Sequence, residues 1–293
     1  MRTAIVFLTL CAALGAKPFC TTHDISGNYA FLANGLVLGT SPISGPFSRV
    51  GTMTADGRGG VHFSTLALYN GINFGLESFS GTYSVNSDCT VNFHIAVPQP
   101  VNTGITFKGQ VAEGGDDVTF ILTNSDSPQT VPPNTTVVGF ARQRQSGRCS
   151  TKDIDGTWRI EINGFRNLPP LGSGTPYRQL GQMVLNGSGG LTGSLISSNN
   201  GSISAETAVG TYTVASDCTF DLNYTIAGAP YGIHGSVISS TEMFVGLNMP
   251  GPTQEGVGIL TSAVATGKMV LESNFPDGHG GDDHHGDDRH GDD

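Results

Sequence analysis

Residues 77–85 alternate with a period of two. Glu77, Phe79, Gly81, Tyr83 and Val85 fall on one face of an extended strand, and Ser78, Ser80, Thr82 and Ser84 on the other. The first set is apolar apart from its glutamate, so it faces the interior of a folded sheet. Comparable extended runs lie near 27–34, 47–55, 60–69, 90–97, 104–112, 117–123 and 137–144, rich in Val, Ile, Thr, Phe and Tyr. Asp56-Gly57 and Asn70-Gly71 punctuate them, and both pairs tolerate the positive φ of tight hairpins. No long amphipathic helix stands out. Eight short strands joined mostly by hairpins predict an antiparallel up-and-down β-barrel, with a two-sheet sandwich as the alternative. Closing the sheet removes exposed edges, which favours the barrel.

The pattern occurs twice. Gly81-Thr82-Tyr83-Ser84-Val85-Asn86-Ser87-Asp88-Cys89-Thr90 returns 129 positions later as Gly210-Thr211-Tyr212-Thr213-Val214-Ala215-Ser216-Asp217-Cys218-Thr219. The same offset carries Asp24 to Asp153, Gly27 to Gly156, Tyr29 to Trp158 and Cys20 to Cys149. Asn186-Gly187 and Asn200-Gly201 repeat the turns. The chain is therefore read as all-β: two tandem eight-stranded barrels at 17–148 and 149–266, preceded by a signal peptide at 1–16 and followed by a disordered tail at 267–293.

The cysteines sharpen this division. Behind the expected leader stand Cys20, Cys89, Cys149 and Cys218, each pair separated by 69 positions. Four cysteines allow three pairings, and the repeat selects Cys20–Cys89 and Cys149–Cys218. A four-thiolate metal site would need closely spaced pairs, which are absent. Each bond closes a loop long enough to contribute roughly 3–4 kcal/mol in the chain-entropy model. The leader itself is short: Arg2, an apolar stretch from Ala4 to Leu14, then Gly15-Ala16. It is too short to span a bilayer, and no later run reaches that length. An exported protein, secreted or periplasmic, meets the oxidising conditions these bonds need.

Charge removes some functions. The net charge is −10, and residues 277–293 carry seven Asp against one Arg, so the tail holds −6 of it. The body has no basic stripe, which argues against nucleic-acid binding. The tail places His279, His284, His285 and His290 among aspartates, a composition suited to weak binding of divalent metals such as Zn²⁺, Ni²⁺ or Cu²⁺. No cofactor is expected. His23, His62, His94 and His234 are scattered, and neither a nucleophile elbow nor a phosphate loop is present.

Two short motifs carry a resemblance. Gly156-Thr157-Trp158 resembles the Gly-x-Trp opening of lipocalins, although Gly27-Asn28-Tyr29 in the first copy carries Tyr. The Gly-Thr-Tyr-x-Val-x-x-Asp-Cys-Thr segment resembles one in exported bacterial proteins with allene oxide cyclase-like barrels; dirigent proteins and spirotetronate cyclases have similar ones. The resemblance implies a calycin-type, eight-stranded barrel around an apolar cavity. It does not fix an activity, because such barrels host both carriers and cyclases.

The candidate site follows from the inward face. Glu77 and Glu206 match in position, and a carboxylate facing an apolar interior has a raised pKa suited to acid–base work. A rim position in contact with water is the plainer alternative. Arg49 and Arg178 match at offset 129, and each is a candidate to pair with and anchor the glutamate of its own copy, but the second copy gains one residue just after Arg178. Gly51 then aligns with Gly181 at offset 130, so the two arginines can face opposite sides. Phe79, Tyr83 and Tyr212 complete the expected ligand-contacting set. Three readings follow, in this order: barrels that bind a small apolar molecule, a structural or adhesive module, and a cyclase or isomerase using an interior Glu.

Overall fold

The computed structural model describes residues 19–39, 43–98, 101–112, 114–128, 135–145, 147–166, 174–247, 253–254, 258–260 and 263–272. The leader and the chain after 272 lie outside them; residues 267–271, expected in the tail, belong instead to the last strand of the second barrel, where they pair with its first strand. Two closed, antiparallel, eight-stranded barrels form the body. The first comprises β1 (Ser26–Val37), β2 (Gly45–Asp56), β3 (Gly60–Tyr69), β4 (Ile72–Val85), β5 (Thr90–Val97), β6 (Thr103–Val111), β7 (Asp117–Ser125) and β8 (Thr136–Gln143). It closes where β1 pairs with β8, from Tyr29 opposite Gln143 to Leu36 opposite Thr136. The second comprises β9 (Gly156–Arg166), β10 (Thr175–Leu185), β11 (Gly190–Asn199), β12 (Ser202–Val214), β13 (Thr219–Ile226), β14 (Ala229–Ser239), β15 (Glu242–Leu247) and β18 (Ala263–Leu271), with β9 paired to β18. A short hairpin, β16 (Thr253–Gln254) and β17 (Gly258–Leu260), is inserted before β18. Its second strand pairs with β4 of the first barrel, Ile259 opposite Asn73 and Leu260 opposite Ile72.

Local chemistry explains the turns and the tight packing. Asn70-Gly71 and Asn200-Gly201 have φ of 47° and 80°, and 50° and 85°, the two positive values a two-residue hairpin requires. At Gly51 and Gly181 the neighbouring strand passes so close that a Cβ would sit 2.7 Å from Thr65 Cα or 2.8 Å from Leu195 Cα. Only glycine permits that approach.

One end of each barrel is sealed in the same way. The 3-10 turns Thr22–Asp24 and Thr151–Ile154 carry capping boxes, Thr21 with Asp24 and Ser150 with Asp153. Tyr83 donates its hydroxyl to the carbonyls of Ile25 and Thr22, and Tyr212 donates to Thr151 at 3.1 Å. Trp158 Nε1 donates to the Ile154 carbonyl at 2.9 Å. Cys20–Cys89 and Cys149–Cys218 are bonded, each with Cα atoms 4.9 Å apart. These bonds suit an oxidising compartment. Among the described residues no helix is long and apolar enough to cross a membrane.

The barrels dock through outer faces. Ala30, Leu32, Val50 and Leu66 of the first pack against Ile238 and Phe244 of the second. Arg142 Nη1 meets Glu242 Oε2 at 2.5 Å, and Asn34 Nδ2 donates to Thr266 Oγ1 at 3.2 Å. This contact explains why β1 is buried on both faces from Tyr29 to Ala33.

Candidate functional site: the polar rings opposite the sealed ends

Away from the sealed floors, inward side chains build a polar ring at each barrel mouth. In the first barrel β2 points Arg49 inward, where Nη2 reaches Glu77 Oε2 at 2.5 Å and Tyr69 Oη at 3.1 Å, and Nη1 reaches Thr65 Oγ1 at 3.2 Å. The guanidinium lies 4.6 Å from the Phe79 ring centre. Arg49 is buried, and the Glu77 side chain is largely so. Burial pushes the Glu77 carboxyl above its ordinary range, and the Arg49 charge and hydrogen bond pull it back in part. Burial likewise raises Tyr69.

Below this ring the first barrel is filled by phenylalanines. Phe31–Phe63 and Phe63–Phe79 have ring centres 5.1 and 5.0 Å apart, and Phe120 touches Phe31, Phe93 and Phe107 at 5.8, 5.5 and 5.3 Å. Strand register gives their counterparts in the second barrel. Phe31, Phe63, Phe79, Phe93, Phe107 and Phe120 correspond to Ile160, Gly193, Ala208, Leu222, Ile233 and Val245. The exchange is partly offset by Trp158 for Tyr29, Tyr224 for Ile95, Met243 for Val118 and Met269 for Ala141. Stiff rings thus give way to aliphatic and thioether side chains, which adapt their shape readily.

The second mouth is also built differently. The inserted residue puts Gln179 where Arg49 stands and leaves Arg178 on the outside, exposed. The two arginines therefore face opposite ways. Gln179 Nε2 donates to Ser197 Oγ at 3.1 Å, Ser197 donates to Glu206 Oε2 at 2.8 Å, and Ser204 donates to Glu206 Oε1 at 2.7 Å. Arg166 comes up from β9, donates to Tyr231 Oη at 2.6 Å and lies over the Tyr177 and Tyr231 rings at 5.5 and 5.3 Å. Tyr224 stacks on Tyr231 with centres 5.6 Å apart.

Two buried polar groups in this ring have no hydrogen-bond partner among the described residues: Tyr224 Oη and Gln179 Oε1. Whichever way the Gln179 amide is turned, Ser197 satisfies one end only. Burial drives the Tyr224 hydroxyl pKa strongly upward, so it stays protonated and able to donate. Gln179, Ser197, Arg166 and Tyr224 escaped the sequence reading. Carrying the alternation of β12 across to β10, β11 and β13 would have found Gln179, Ser197 and Tyr224; Arg166, at the end of β9, leaves no such signal.

The expected residues thus divide by position. Glu77, Phe79 and Arg49 meet at the first mouth, and Glu206 sits at the second. Tyr83 and Tyr212 lie at the floors, bonded to the 3-10 turns. Outside the barrels, a cleft of about 1100 Å³ runs between them, with Leu36, Phe140 and Phe165 on its walls. The tail histidines lie outside the described residues.

No family model matches this sequence. No curated protein matches it either. Among solved structures, it is similar to a protein of unknown function of the DUF3598 family from Nostoc punctiforme, at 10% identity and a TM-score of 0.25, over 85% of this chain and 98% of that one. It is also similar to a double mutant of the vaccine antigen transferrin binding protein B from Haemophilus parasuis, at 9% identity and a TM-score of 0.30, over 84% of this chain and 76% of that one. A single mutant of the same antigen gives 8% and 0.27, over 83% and 75%. Likenesses this slight carry nothing further for this chain.

Proposed function

We propose that this is an exported two-barrel binding protein whose second barrel holds a small apolar molecule carrying a hydroxyl. The unpartnered Tyr224 Oη and Gln179 Oε1 carry this reading. A buried polar group without a partner costs about 1–3 kcal/mol, and a ligand hydroxyl, both donor and acceptor, would satisfy both kinds of group. The apolar body of the ligand would lie against Ala208, Leu222, Ile233 and the methionines, where the first barrel has its phenylalanine plug. The first barrel then acts as a scaffold that braces the second. The barrels are read as allied to the calycin-type and allene oxide cyclase-like group. An enzymatic role for Glu77 would first require its release from Arg49.

Naphthol, an apolar fluorophore with one hydroxyl, is a suitable probe. Trp158 is the sole tryptophan and lies in the floor of the second barrel, so its energy transfer to bound naphthol reports on this barrel. Naphthol is expected to bind at least about tenfold more tightly than naphthalene, the equivalent of one good hydrogen bond in a dry site. Tyr224→Phe should erase most of that difference while leaving the free protein as stable or more so, because an unsatisfied hydroxyl has been removed. Equal affinity of wild type and Tyr224→Phe for naphthol would refute the assignment.

A further inference from the structure

The internal repeat also shows what the second barrel lacks. On the outside of the first barrel, Val50, Leu66 and Leu76 form a cross-strand row over β2, β3 and β4, and Val50 and Leu66 are 2% and 4% exposed because the second barrel covers them. The matching row on the second barrel is Leu180, Ile196 and Ala205, and there Leu180 and Ile196 are each 49% exposed. Val184 and Val209 flank Thr192 two rows further on, beyond the polar row of Gln182, Ser194 and Thr207, and Ile203 is 74% exposed. Arg178 is the one charged side chain on the outward rows of β10, β11 and β12 from 178 to 184, 192 to 198 and 203 to 209.

A second, separate feature lies beside this face. The mouth-side end of β4 is paired with β17 through Ile72 and Asn73. The matching end of β12 has no such partner: its pairing with β13 begins only at Ala208, which leaves the edge of Ser202–Thr207 open among the described residues. Val50 and Leu66 are thus covered where Leu180 and Ile196 are not, and among the described residues the β12 edge lacks the partner that Ile72 and Asn73 have, although β4 is itself unpaired on this edge from 74 to 80 and Leu76 is 66% exposed. The chain's own tail is a poor cover, since after Pro276 it holds only Asp, Gly, His and one Arg.

We infer that β12 pairs edge to edge with β12 of a second copy of this chain, forming a two-fold dimer. Two identical antiparallel edges are self-complementary, which is the condition for closed two-fold symmetry. With Ser204 on the axis, Ile203 stands opposite Ala205 of the partner copy and extends the apolar row across both barrels. The only charged residue in the segment, Glu206, then stands opposite Ser202, so no like charges meet. Each Ile203 is covered on both sides of the axis.

The full exported chain is to be measured by sedimentation velocity over a concentration series, with Ile203→Lys, Ala205→Lys and Leu76→Lys beside it. Wild type is expected as a concentration-dependent dimer. Each β12 lysine should weaken association at least about tenfold, the loss of one buried apolar contact, without moving the thermal transition. Leu76→Lys, in the corresponding row of the first barrel, should leave association unchanged. A wild-type monomer at all concentrations, or a dimer indifferent to both β12 lysines, would overturn the inference.

Discussion

Arg49→Met is expected to cost about 3–5 kcal/mol of folding stability, because it strands the Glu77 carboxylate in a buried site without its cation. The pair is deep enough for this: Arg49 is buried, the Glu77 side chain is only 10% exposed, and Arg49 also holds Thr65 and Tyr69. The double variant Arg49→Met with Glu77→Leu should recover most of the loss, since apolar replacement of both partners removes the stranded charge. The pH dependence has a definite sign. Burial already holds the Glu77 pKa above its ordinary value, so between that value and the raised one the folded state binds more protons than the unfolded state. Stability therefore falls as pH rises through that window. Without Arg49 the pKa climbs further, and the fall should continue to higher pH. Chemical denaturation at several pH values measures all of this; a single variant as stable as wild type at neutral pH would show that the pair is not buried as described.

Replacing Cys149 and Cys218 together by Ser should cost the second barrel roughly 4 kcal/mol in the chain-entropy model. Trp158 belongs to that barrel alone, so its fluorescence transition should move to lower denaturant. The matching change at Cys20 and Cys89 should move it much less, limited to what the shared face of Ala30, Leu32, Val50, Leu66, Ile238 and Phe244 transmits. A wild-type bond linking Cys20 to Cys149, or equal shifts in the two variants, would contradict the division into separately stapled barrels.

The strands were legible because each inward row obeys a period of two and each turn has its own chemistry. Even the inward placement of Phe79 and Tyr83, in phase with Glu77, follows from one alternating segment. That an arginine could pair with the glutamate of its own barrel was legible from the matched positions, but which arginine does so was not. It depends on a single inserted residue that puts Gln179 rather than Arg178 in phase with Arg49, and such a shift moves a side chain to the opposite face. The docking face was hidden for a related reason. Residues Tyr29 to Ala33 are apolar on both faces, and a short apolar run does not say what covers its outer side. The β16–β17 hairpin is too short to leave a periodic signal, and its partner strand lies far away in sequence.

Ala208 stands where the first barrel has Phe79, so Ala208→Phe places one ring of that plug in the second barrel. Trp158 energy transfer to naphthol, compared between wild type and Ala208→Phe, therefore addresses the second barrel's interior directly. Saturable transfer in wild type and its loss in the variant, with folding intact, is the expected result. Transfer absent from both, or undiminished by the added ring, would mean that the second barrel is not a binding chamber.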